Sequence, residues 1–504
     1  MNTTVSLLLQ LVTAVCGFIV PRLIIGTYGS DINGLVSSIT QFLSYITLFE
    51  AGVGGVVRAA LYKPLADKNT PKLSGIVNAT EDFFRKISYI FIVYMALLAC
   101  FYPLIVNKSF GWGFTASLVA IIGISTFVQY YFGITYMVFL QADQKRYITS
   151  IVQILTIISN AILVVFFVKF GASIHVLKLG TAIVYIIRPI VLNIYVKKKY
   201  GIDRKAEPDK SAISQRWDGL GHHIAYFVNL NTDVVILTIC SKITSAFSIA
   251  EVSVYTVYYS VVTGVQNITS ALSTGMEAAL GNMLAKDEKD NLREKFGLYE
   301  FLSYAVTTFM FTSTGILIVP FVQVYTKGIT DANYIRPAFA YLLVAAYAVY
   351  AIRLPYNSLT LAAGHYKQTR NGAFVEAGIN VGVSAILVFF FGIIGVAIGT
   401  LAAMTFRTVQ YAWYLSKNIL VRSFSIFLKR AGGAMLSAAL SIIVNHFVPH
   451  IGVTSYLTWA LYGVKVALIT GAIILLVDII FFRKDLLNTI KYLKKVIFSK
   501  LIKR

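Results

Sequence analysis

Between Arg146 and Lys169 the chain carries no charged residue, and this stretch contains the apolar run Ala161-Ile-Leu-Val-Val-Phe-Phe167. An α-helix crosses the hydrocarbon core of a bilayer with about 20 mostly apolar residues, so the stretch has the length of a membrane span. A similar run recurs later as Ala385-Ile-Leu-Val-Phe-Phe-Phe391. The sequence therefore predicts an all-α polytopic membrane protein, and it contains two segments that resemble each other.

The composition of the whole chain excludes several other classes of protein. Of the 504 residues, 57% are hydrophobic and 13% are charged, whereas soluble domains carry roughly 25% charged residues. A soluble enzyme, a disordered basic protein and a disulfide-stapled secreted domain are thus excluded. Cys16, Cys100 and Cys240 lie in apolar runs and are interpreted as small core residues. No cofactor and no metal site is expected.

Fourteen apolar segments of suitable length follow one another along the chain. They cover approximately residues 3–25, 33–61, 84–106, 113–141, 146–169, 174–196, 219–241, 248–283, 297–325, 336–363, 371–391, 393–416, 430–449 and 456–482. No small-residue cleavage site follows the first segment, so we expect this span to be retained.

The formal net charge of +22 is distributed unevenly over the connections. Of the 44 Lys and Arg residues, 32 follow even-numbered spans, 6 follow odd-numbered spans and 6 lie inside spans. Basic residues at span ends mark the cytoplasmic side of a membrane. We expect a multi-pass protein of the bacterial cytoplasmic membrane with both termini in the cytoplasm, and we interpret the charge as topology rather than nucleic-acid binding.

Short sequence matches indicate an internal duplication. Gly180-Thr181 recurs as Gly399-Thr400, and Leu65-Ala-Asp-Lys68 nearly recurs as Leu284-Ala-Lys-Asp287, both at an offset of 219 residues. The offset corresponds to a repeat of six spans. Because six is an even number, the first span of each half enters the membrane from the same side, as in a parallel repeat. The predicted parts are an N-terminal six-helix bundle (1–200), a basic cytoplasmic linker (201–216), a C-terminal six-helix bundle (217–418), two additional transmembrane helices (419–482) and a basic cytoplasmic tail (483–504).

Polar residues recur at helical spacing in the eighth span. The stripe consists of Thr256, Ser260, Thr263, Asn267, Ser270, Thr274 and Glu277. Such a stripe is costly toward lipid, so it faces either neighbouring helices or a hydrated cavity. Both interpretations stay open: hydroxyl contacts between packed helices, or substrate binding by Asn267 and Ser270. Shorter stripes are Ser37, Gln41 and Ser44 in the second span and His222, Tyr226, Asn229 and Asp233 in the seventh.

Arginines inside spans are candidates for binding a phosphate-bearing substrate, because a guanidinium group binds phosphate bidentately. The candidates are Arg22, Arg58, Arg188 and Arg353. Three of them lie beside Pro21, Pro189 and Pro355, where we expect kinked helices. Snorkelling toward the interface is the alternative for all but Arg353, which lies well inside its span and is the preferred candidate. Arg407 is expected to pair with a neighbouring carboxylate.

Carboxylates inside spans are candidates for ion coupling, because such groups mark proton and ion pathways. The candidates for coupling to H⁺ or Na⁺ are Glu50, Asp233, Glu277 and Glu376. Structural ion pairs with the arginines are the alternative explanation for these residues.

Several motifs carry a resemblance to a known family. They are Pro21-Arg-Leu-Ile-Ile-Gly-Thr-Tyr-Gly29, Asn33-Gly34-Leu35, Phe49-Glu-Ala-Gly-Val-Gly54 with Arg58, and, in the second half, Asn231-Thr-Asp233 and Val254-Tyr255. This pattern resembles the Wzx-type polysaccharide flippases of the multidrug/oligosaccharidyl-lipid/polysaccharide (MOP) superfamily, which also includes the lipid II flippase and the MATE drug exporters.

The resemblance implies a V-shaped pair of six-helix bundles around a cationic cavity. It also implies alternating-access transfer of undecaprenyl-pyrophosphate-linked oligosaccharides to the outer leaflet, often coupled to H⁺ or Na⁺. The implied partners are this lipid-linked substrate, membrane lipids, and the polymerase and glycosyltransferases of polysaccharide synthesis. Arg22 and Arg58 fall where the lipid II flippase has functional arginines, and fourteen spans also resemble that flippase, whereas Wzx proteins more often have twelve.

Three alternatives to a Wzx-type flippase remain. The first is the lipid II flippase itself. A MATE-type cation antiporter should have mainly acidic groups in its lumen, but the spans hold basic residues as well as the acidic residues Glu50, Asp233, Glu251, Glu277, Glu376 and Asp478. A membrane glycosyltransferase or polymerase needs a sizeable external loop, and the connections after odd-numbered spans have at most about ten residues. No P-loop motif is present, and we expect a transporter rather than an enzyme.

Overall fold

The computed structural model describes residues 2–50, 53–106, 110–213, 220–243, 247–286, 288–448 and 452–501. Within these residues the regular elements are helices. The α-helices are α1 (Asn2–Tyr28), α2 (Ser30–Ser44), α3 (Val53–Ala66), α4 (Thr70–Val106), α5 (Trp112–Phe132), α6 (Ile134–Ala142), α7 (Arg146–Lys169), α8 (Ile174–Tyr200), α9 (Leu220–Ile243), α10 (Ala250–Ala285), α11 (Lys289–Tyr325), α12 (Pro337–Ala362), α13 (Tyr366–Phe391), α14 (Ile393–Asn418), α15 (Ser425–Phe447), α16 (Tyr456–Phe481) and α17 (Arg483–Leu501). Two short 3-10 helices cover Tyr45–Phe49 and Lys210–Ile213.

The helices account for the predicted membrane spans. Among the described residues, eleven helices are long and apolar enough to cross a membrane, and twelve when the bent pair α2–α3 counts as one span. The polar stripes lie on α9 and α10, whose 24 and 36 residues are also sufficient to cross a bilayer. The prediction of an all-α polytopic membrane protein with about fourteen spans is confirmed.

Two predicted spans are broken near their middle. The second consists of α2, the 3-10 helix Tyr45–Phe49 and α3, and its two parts are bent by 50°. The fourth consists of α5 and α6, separated by Gly133. A Cβ atom at Gly133 would lie 2.6 Å from the Cβ of Pro189, so α8 approaches this break too closely for a larger residue.

The helices that carry the arginine–proline pairs are continuous, and the kinks expected at these positions stay a prediction. Helices α1, α8 and α12 continue through Pro21, Pro189 and Pro355. Neighbouring groups in a membrane protein can satisfy the carbonyl that proline leaves without its usual donor, so a helix can run through such a position. The breaks in the second and fourth spans lie instead next to glycine.

By packing, the chain divides into two compact units. The first unit contains Met1–Thr256 and Gly328–Ala332, and the second contains Val257–Lys327 and Asn333–Arg504. In the first unit, α1 packs on α7, α4 on α5, and both α5 and α7 on α8. In the second unit, α12 and α13 pack on α14, and α11 contacts α12, α15 and α16. The domain boundaries given above, near residues 200, 217, 418 and 482, stay a prediction.

The segment after the last span forms a helix of its own. Helix α17 packs on α11 and α16 of the second unit. It is also tied to α15, because Arg430 Nη2 lies 3.1 Å from Asp485 Oδ2. The sequence analysis treated this segment only as a basic tail and did not anticipate the helix.

Candidate functional site: arginines and carboxylates of the membrane spans

Arg58 lies on α3, after the bend of the second span, and its side chain reaches α6. Its Nη1 donates a hydrogen bond to Oε1 of Gln141 at 3.0 Å. The side chain is half-buried. Because Gln141 is neutral, this contact does not balance the positive charge of the guanidinium.

Arg188 reaches the same short helix from α8. Its Nη2 lies 3.5 Å from the Sδ atom of Met137, and the side chain is half-buried. Met137 and Gln141 are four residues apart, so they share one face of α6 and lie about 6 Å apart along it. Both arginines therefore contact the same face of α6, and a small cavity lined by Gly133, Met137 and Arg188 opens beside Arg188.

The C-terminal end of α6 is fixed to α8 outside the membrane span. Lys145 Nζ lies 2.5 Å from Asp143 Oδ2 and donates a hydrogen bond to the hydroxyl of Tyr200 at 2.8 Å. The hydrogen bonds to Asp143 and Tyr200 raise the pKa of the Lys145 ammonium group above its ordinary value. Helix α6 is thus held at its end as well as along its length.

Arg22 lies on α1 and is half-buried. Its guanidinium group runs along its own helix, so a Cβ atom at Gly26 would lie 2.8 Å from Arg22 Nη1. Glycine one turn further along α1 therefore leaves room for the arginine side chain.

Arg353 and Arg407 in the second unit share one carboxylate. Arg353 Nη1 lies 2.5 Å from Glu376 Oε1, and Arg407 Nε lies 3.6 Å from Glu376 Oε2. The exposed fractions are 6% for Arg353, 2% for Arg407 and 6% for Glu376. A Cβ atom at Gly372 would lie 2.2 Å from Arg407 Nη1, so glycine gives the arginine access to this carboxylate. The expected pairing of Arg407 with a carboxylate is confirmed.

Two of the candidate coupling carboxylates are held by tyrosines of the first unit. Tyr130 donates a hydrogen bond to Glu50 Oε2 at 3.2 Å, and Tyr255 donates one to Asp233 Oδ2 at 2.9 Å. Asp233 is buried, whereas Glu50 is half-buried. The side chain of Glu277 lies outside the described residues, as do those of His222, Tyr226, Asn229 and Thr274.

The polar residues of α2 contact those of α9 and α10 within the first unit. Ser38 and Thr238 share a hydrogen bond of 2.6 Å, and Gln41 donates one of 2.5 Å to Asn231. Asn33 donates to the Ser253 hydroxyl at 2.7 Å. For these residues the structure supports the first interpretation, polar contacts between packed helices.

On α10 the stripe continues into the second unit with greater exposure. The hydroxyl of Thr263 donates to the carbonyl of Tyr259 on its own helix at 2.7 Å. Further along, Asn267 is exposed and Ser270 is half-buried. The amide of Asn267 therefore lies on an open face of α10.

Two buried glutamates were absent from the predicted set. Glu81 on α4 and Glu300 on α11 are each contacted by a tyrosine hydroxyl and by basic side chains. Their spacing of 219 residues equals the offset of the internal repeat, and that offset was the signal that could have identified them.

The fold that presents these residues is shared with known membrane transporters. The chain is similar to the structure of the lipid II flippase MurJ in an inward closed conformation, with a TM-score of 0.69, 13% identity, and 96% of this chain and 99% of that chain covered. It is also similar to an inward-facing multidrug resistance MATE family transporter of the MOP superfamily (TM-score 0.65, 11% identity, 80% and 94% covered). A third is the MATE multidrug transporter DinF-BH (TM-score 0.59, 16% identity, 83% and 95% covered).

No family model and no curated protein matches the sequence. The chain is a multi-pass membrane protein with the fold that the MurJ and MATE structures share. The resemblance found in the sequence is thereby confirmed at the level of this fold, and the Wzx subfamily stays a prediction.

Proposed function

We propose that the chain is a flippase that moves undecaprenyl-pyrophosphate-linked oligosaccharide units across the bacterial cytoplasmic membrane for cell-surface polysaccharide synthesis. The observation that carries this proposal is the placement of Arg58 and Arg188 on one side of α6, each with a neutral contact. A cation inside a membrane protein is costly unless a counter-charge is supplied. A substrate pyrophosphate supplies that charge, and two guanidinium groups bind it with directed hydrogen bonds.

The other candidate substrate-binding residues have different proposed roles. Arg22 extends the basic group from α1, and Asn267 and Ser270 on α10 offer hydrogen bonds to sugar hydroxyls. Arg353 contributes only if it exchanges Glu376 for a substrate phosphate. Arg407 also contacts Glu376, so this carboxylate would keep one cationic partner during such an exchange.

Transport is proposed to proceed by alternating access with coupling to H⁺ or Na⁺. Glu50 is the preferred coupling group, because a tyrosine partner leaves it freer to take up a cation than an arginine partner would. Asp233, also in contact with a tyrosine, stays in the proposed set. Glu376 is in contact with two arginines and is the less suited of the described candidates. Glu277 remains in the proposed set from its place in the sequence.

A lipid II flippase is the second candidate function. The MurJ structure corresponds to 96% of this chain, whereas the two MATE structures correspond to 80% and 83%. Both candidates share the polyprenyl-pyrophosphate group and differ in the glycan. A MATE-type cation antiporter fits the arginines of the spans less well, and the proposal assigns no enzymatic reaction to the chain. A polymerase and glycosyltransferases are proposed as partners in the same synthesis.

Flipping in proteoliposomes tests the proposal. Purified protein is reconstituted with undecaprenyl-pyrophosphate oligosaccharide, with lipid II, or with an organic cation dye, and transfer is followed with a membrane-impermeant reagent. We expect transfer of a pyrophosphate-linked glycan and none of the dye. Transport of the dye alone would replace the proposal by cation export, and transfer of lipid II alone would select the second candidate.

A further inference from the structure

Glu81 and Glu300 occupy equivalent places in the two halves of the chain. Helices α4 and α11 both have 37 residues, and both their first and last residues differ by 219 positions. The two glutamates differ by the same 219 positions and are 7% and 0% exposed. The offset that relates Gly180 to Gly399 therefore also relates two buried carboxylates.

In the first unit, Glu81 joins side chains from two other helices. The hydroxyl of Tyr136 on α6 donates a hydrogen bond to Glu81 Oε1. Lys197, near the end of α8, places its Nζ 3.2 Å from the same oxygen. Arg85, one turn further along α4, lies 3.6 Å from Oε2. One carboxylate thus holds α4, α6 and α8 together.

In the second unit, Glu300 also has a tyrosine partner on the corresponding helix and two basic partners. The hydroxyl of Tyr356 on α12 donates to Oε1 at 2.6 Å. Arg422, just after α14, donates to Oε2 from Nη1 at 2.8 Å. Arg430 on α15 adds its Nε at 3.4 Å. Here the carboxylate holds α11, α12, the end of α14 and α15.

A further contact matches between the halves. Ser74 Oγ accepts a hydrogen bond from the Asp203 backbone at 3.0 Å, and Arg293 Nε donates one to the Leu420 carbonyl at 2.9 Å. Ser74 and Arg293 again differ by 219 positions. In both halves the chain that leaves the sixth span is attached to the helix of the third span, about two turns before the glutamate.

The tyrosine partners connect both glutamates to the candidate arginines. Tyr136 is adjacent to Met137, which contacts Arg188, and it lies on the same short helix as Gln141, which contacts Arg58. Tyr356 is three residues from Arg353 on α12. In each unit the glutamate therefore fixes the helix that carries or contacts an intramembrane arginine.

We propose that Glu81 and Glu300 are paired positioning residues that set the placement of the intramembrane arginines, Glu81 acting through Tyr136 on Arg58 and Arg188, and Glu300 acting through Tyr356 on Arg353. That this placement matters for transport rests on the proposed function. The effect of the glutamates on the position of the arginines is independent of that function. Neither glutamate is assigned a contact with substrate.

The test measures arginine reactivity, which needs no substrate. Purified wild type, Glu81→Gln and Glu300→Gln are treated with phenylglyoxal, and modification of each arginine is followed by mass spectrometry. We expect Glu81→Gln to raise the modification rates of Arg58 and Arg188 by at least about threefold through local opening, with Arg353 unchanged. Glu300→Gln should raise the rate of Arg353 and leave Arg58 and Arg188 unchanged. Glu294→Gln, on an exposed side chain of α11, is the matched control and should change none.

Unchanged rates in both variants would overturn the proposal, as would equal increases at all three arginines, because that result indicates general loosening. If the glutamine variants do not fold, Tyr136→Phe and Tyr356→Phe remove only the hydroxyl donors and should show the same selectivity with smaller increases. Glu81→Gln combined with Tyr136→Phe should not exceed the stronger single variant, since both act through one contact. If wild type flips no lipid but the variants still show the selective changes in arginine reactivity, the proposed function is rejected and the positioning role of the glutamates stands.

Discussion

The intramembrane arginines of the first unit and those of the second unit are held by different kinds of partner. Arg58 and Arg188 contact an amide oxygen at 3.0 Å and a thioether sulfur at 3.5 Å. Arg353 and Arg407 contact the two oxygens of Glu376 at 2.5 and 3.6 Å. The first pair is half-buried, and the second pair is nearly inaccessible.

This difference separates two uses of the same residue type. A buried arginine in contact with a carboxylate has its charge balanced within the protein, so it contributes to the arrangement of the helices. A partly accessible arginine with a neutral contact keeps a charge that this contact does not balance, and an anion can bind to it with little competition. Position inside a span does not by itself distinguish these two cases; the partner and the accessibility of the side chain do.

Removal of Glu376 should produce the largest effect on stability. Glu376→Ala leaves two buried arginines without their carboxylate, and breaking such a buried ion pair costs about 3–5 kcal/mol. Thermal unfolding of the purified protein in detergent measures the loss. The matched variant in the first unit is Glu50→Ala, which removes a carboxylate bound by Tyr130 and should cost only about 1 kcal/mol. Equal losses in the two variants would contradict the distinction between the units.

Removal of Arg58 or Arg188 should affect transport rather than stability. Arg58→Ala and Arg188→Ala should lower the flipping rate at least about tenfold, equivalent to about 1.4 kcal/mol of transition-state binding. Proteoliposome assays measure the rate, and the melting temperature should stay close to that of wild type. Arg58→Lys keeps the charge but not the bidentate geometry and should give an intermediate rate. Wild-type rates for both alanine variants, with loss of transport in a stably folded Arg353→Ala, would reverse the assignment of the two units.

The carboxylates proposed for ion coupling should differ in the same way. Dissipation of the proton or sodium gradient should slow flipping by wild type severalfold. In Glu50→Gln or Asp233→Asn the residual rate should no longer respond to that gradient, because the exchangeable carboxyl group is absent. Flipping rates of wild type and variants, measured in parallel with and without an ionophore, show whether the rate responds to the gradient. If only Glu376→Gln abolishes the response, coupling belongs to the second unit.

The smallest effect should come from the neutral contacts of the first unit. Ser38 and Thr238 share one hydrogen bond between α2 and α9. A double-mutant cycle with Ser38→Ala and Thr238→Val should give a coupling free energy of about 0.6 kcal/mol, the average for such bonds in a membrane protein. Unfolding of the four proteins in detergent measures it. A coupling free energy several times larger would show that neutral hydrogen bonds stabilise the first unit as much as the ion pairs of Glu376 stabilise the second.

The spans could be predicted because their signal is local. Length and apolarity suffice to identify a helix such as α7, and the charges that flank it add an expected orientation. The breaks at Gly133 and after Phe49 could not be predicted in this way, since a glycine in an apolar segment is compatible with a continuous helix. At Gly133, the close approach of Pro189, which lies more than fifty residues later in the chain, leaves no room for a larger residue.

The candidate site could be predicted only in part. Several intramembrane charges were identified from residue type and position, but Glu81 and Glu300 were missed, and the partners of the charges were not identified. Arg353 was preferred as a substrate ligand because it lies deepest in its span, and the structure places Glu376 against it. Arg58 and Arg188 were considered separately. No sequence pattern shows that Gln141 contacts Arg58 and that Met137, on the same short helix, contacts Arg188.

The sequence by itself determined the membrane class, the number of spans and the repeat offset of 219 residues, because these follow from apolar length and from the order of residues along the chain. The tertiary structure decided which charges are balanced. That depends on which side chains from distant helices approach within a few ångströms, as Glu376 approaches Arg353 and Gln141 approaches Arg58. Electrostatic interactions fall off with distance and depend on burial, so the same arginine can serve the scaffold or bind an anion according to its neighbours.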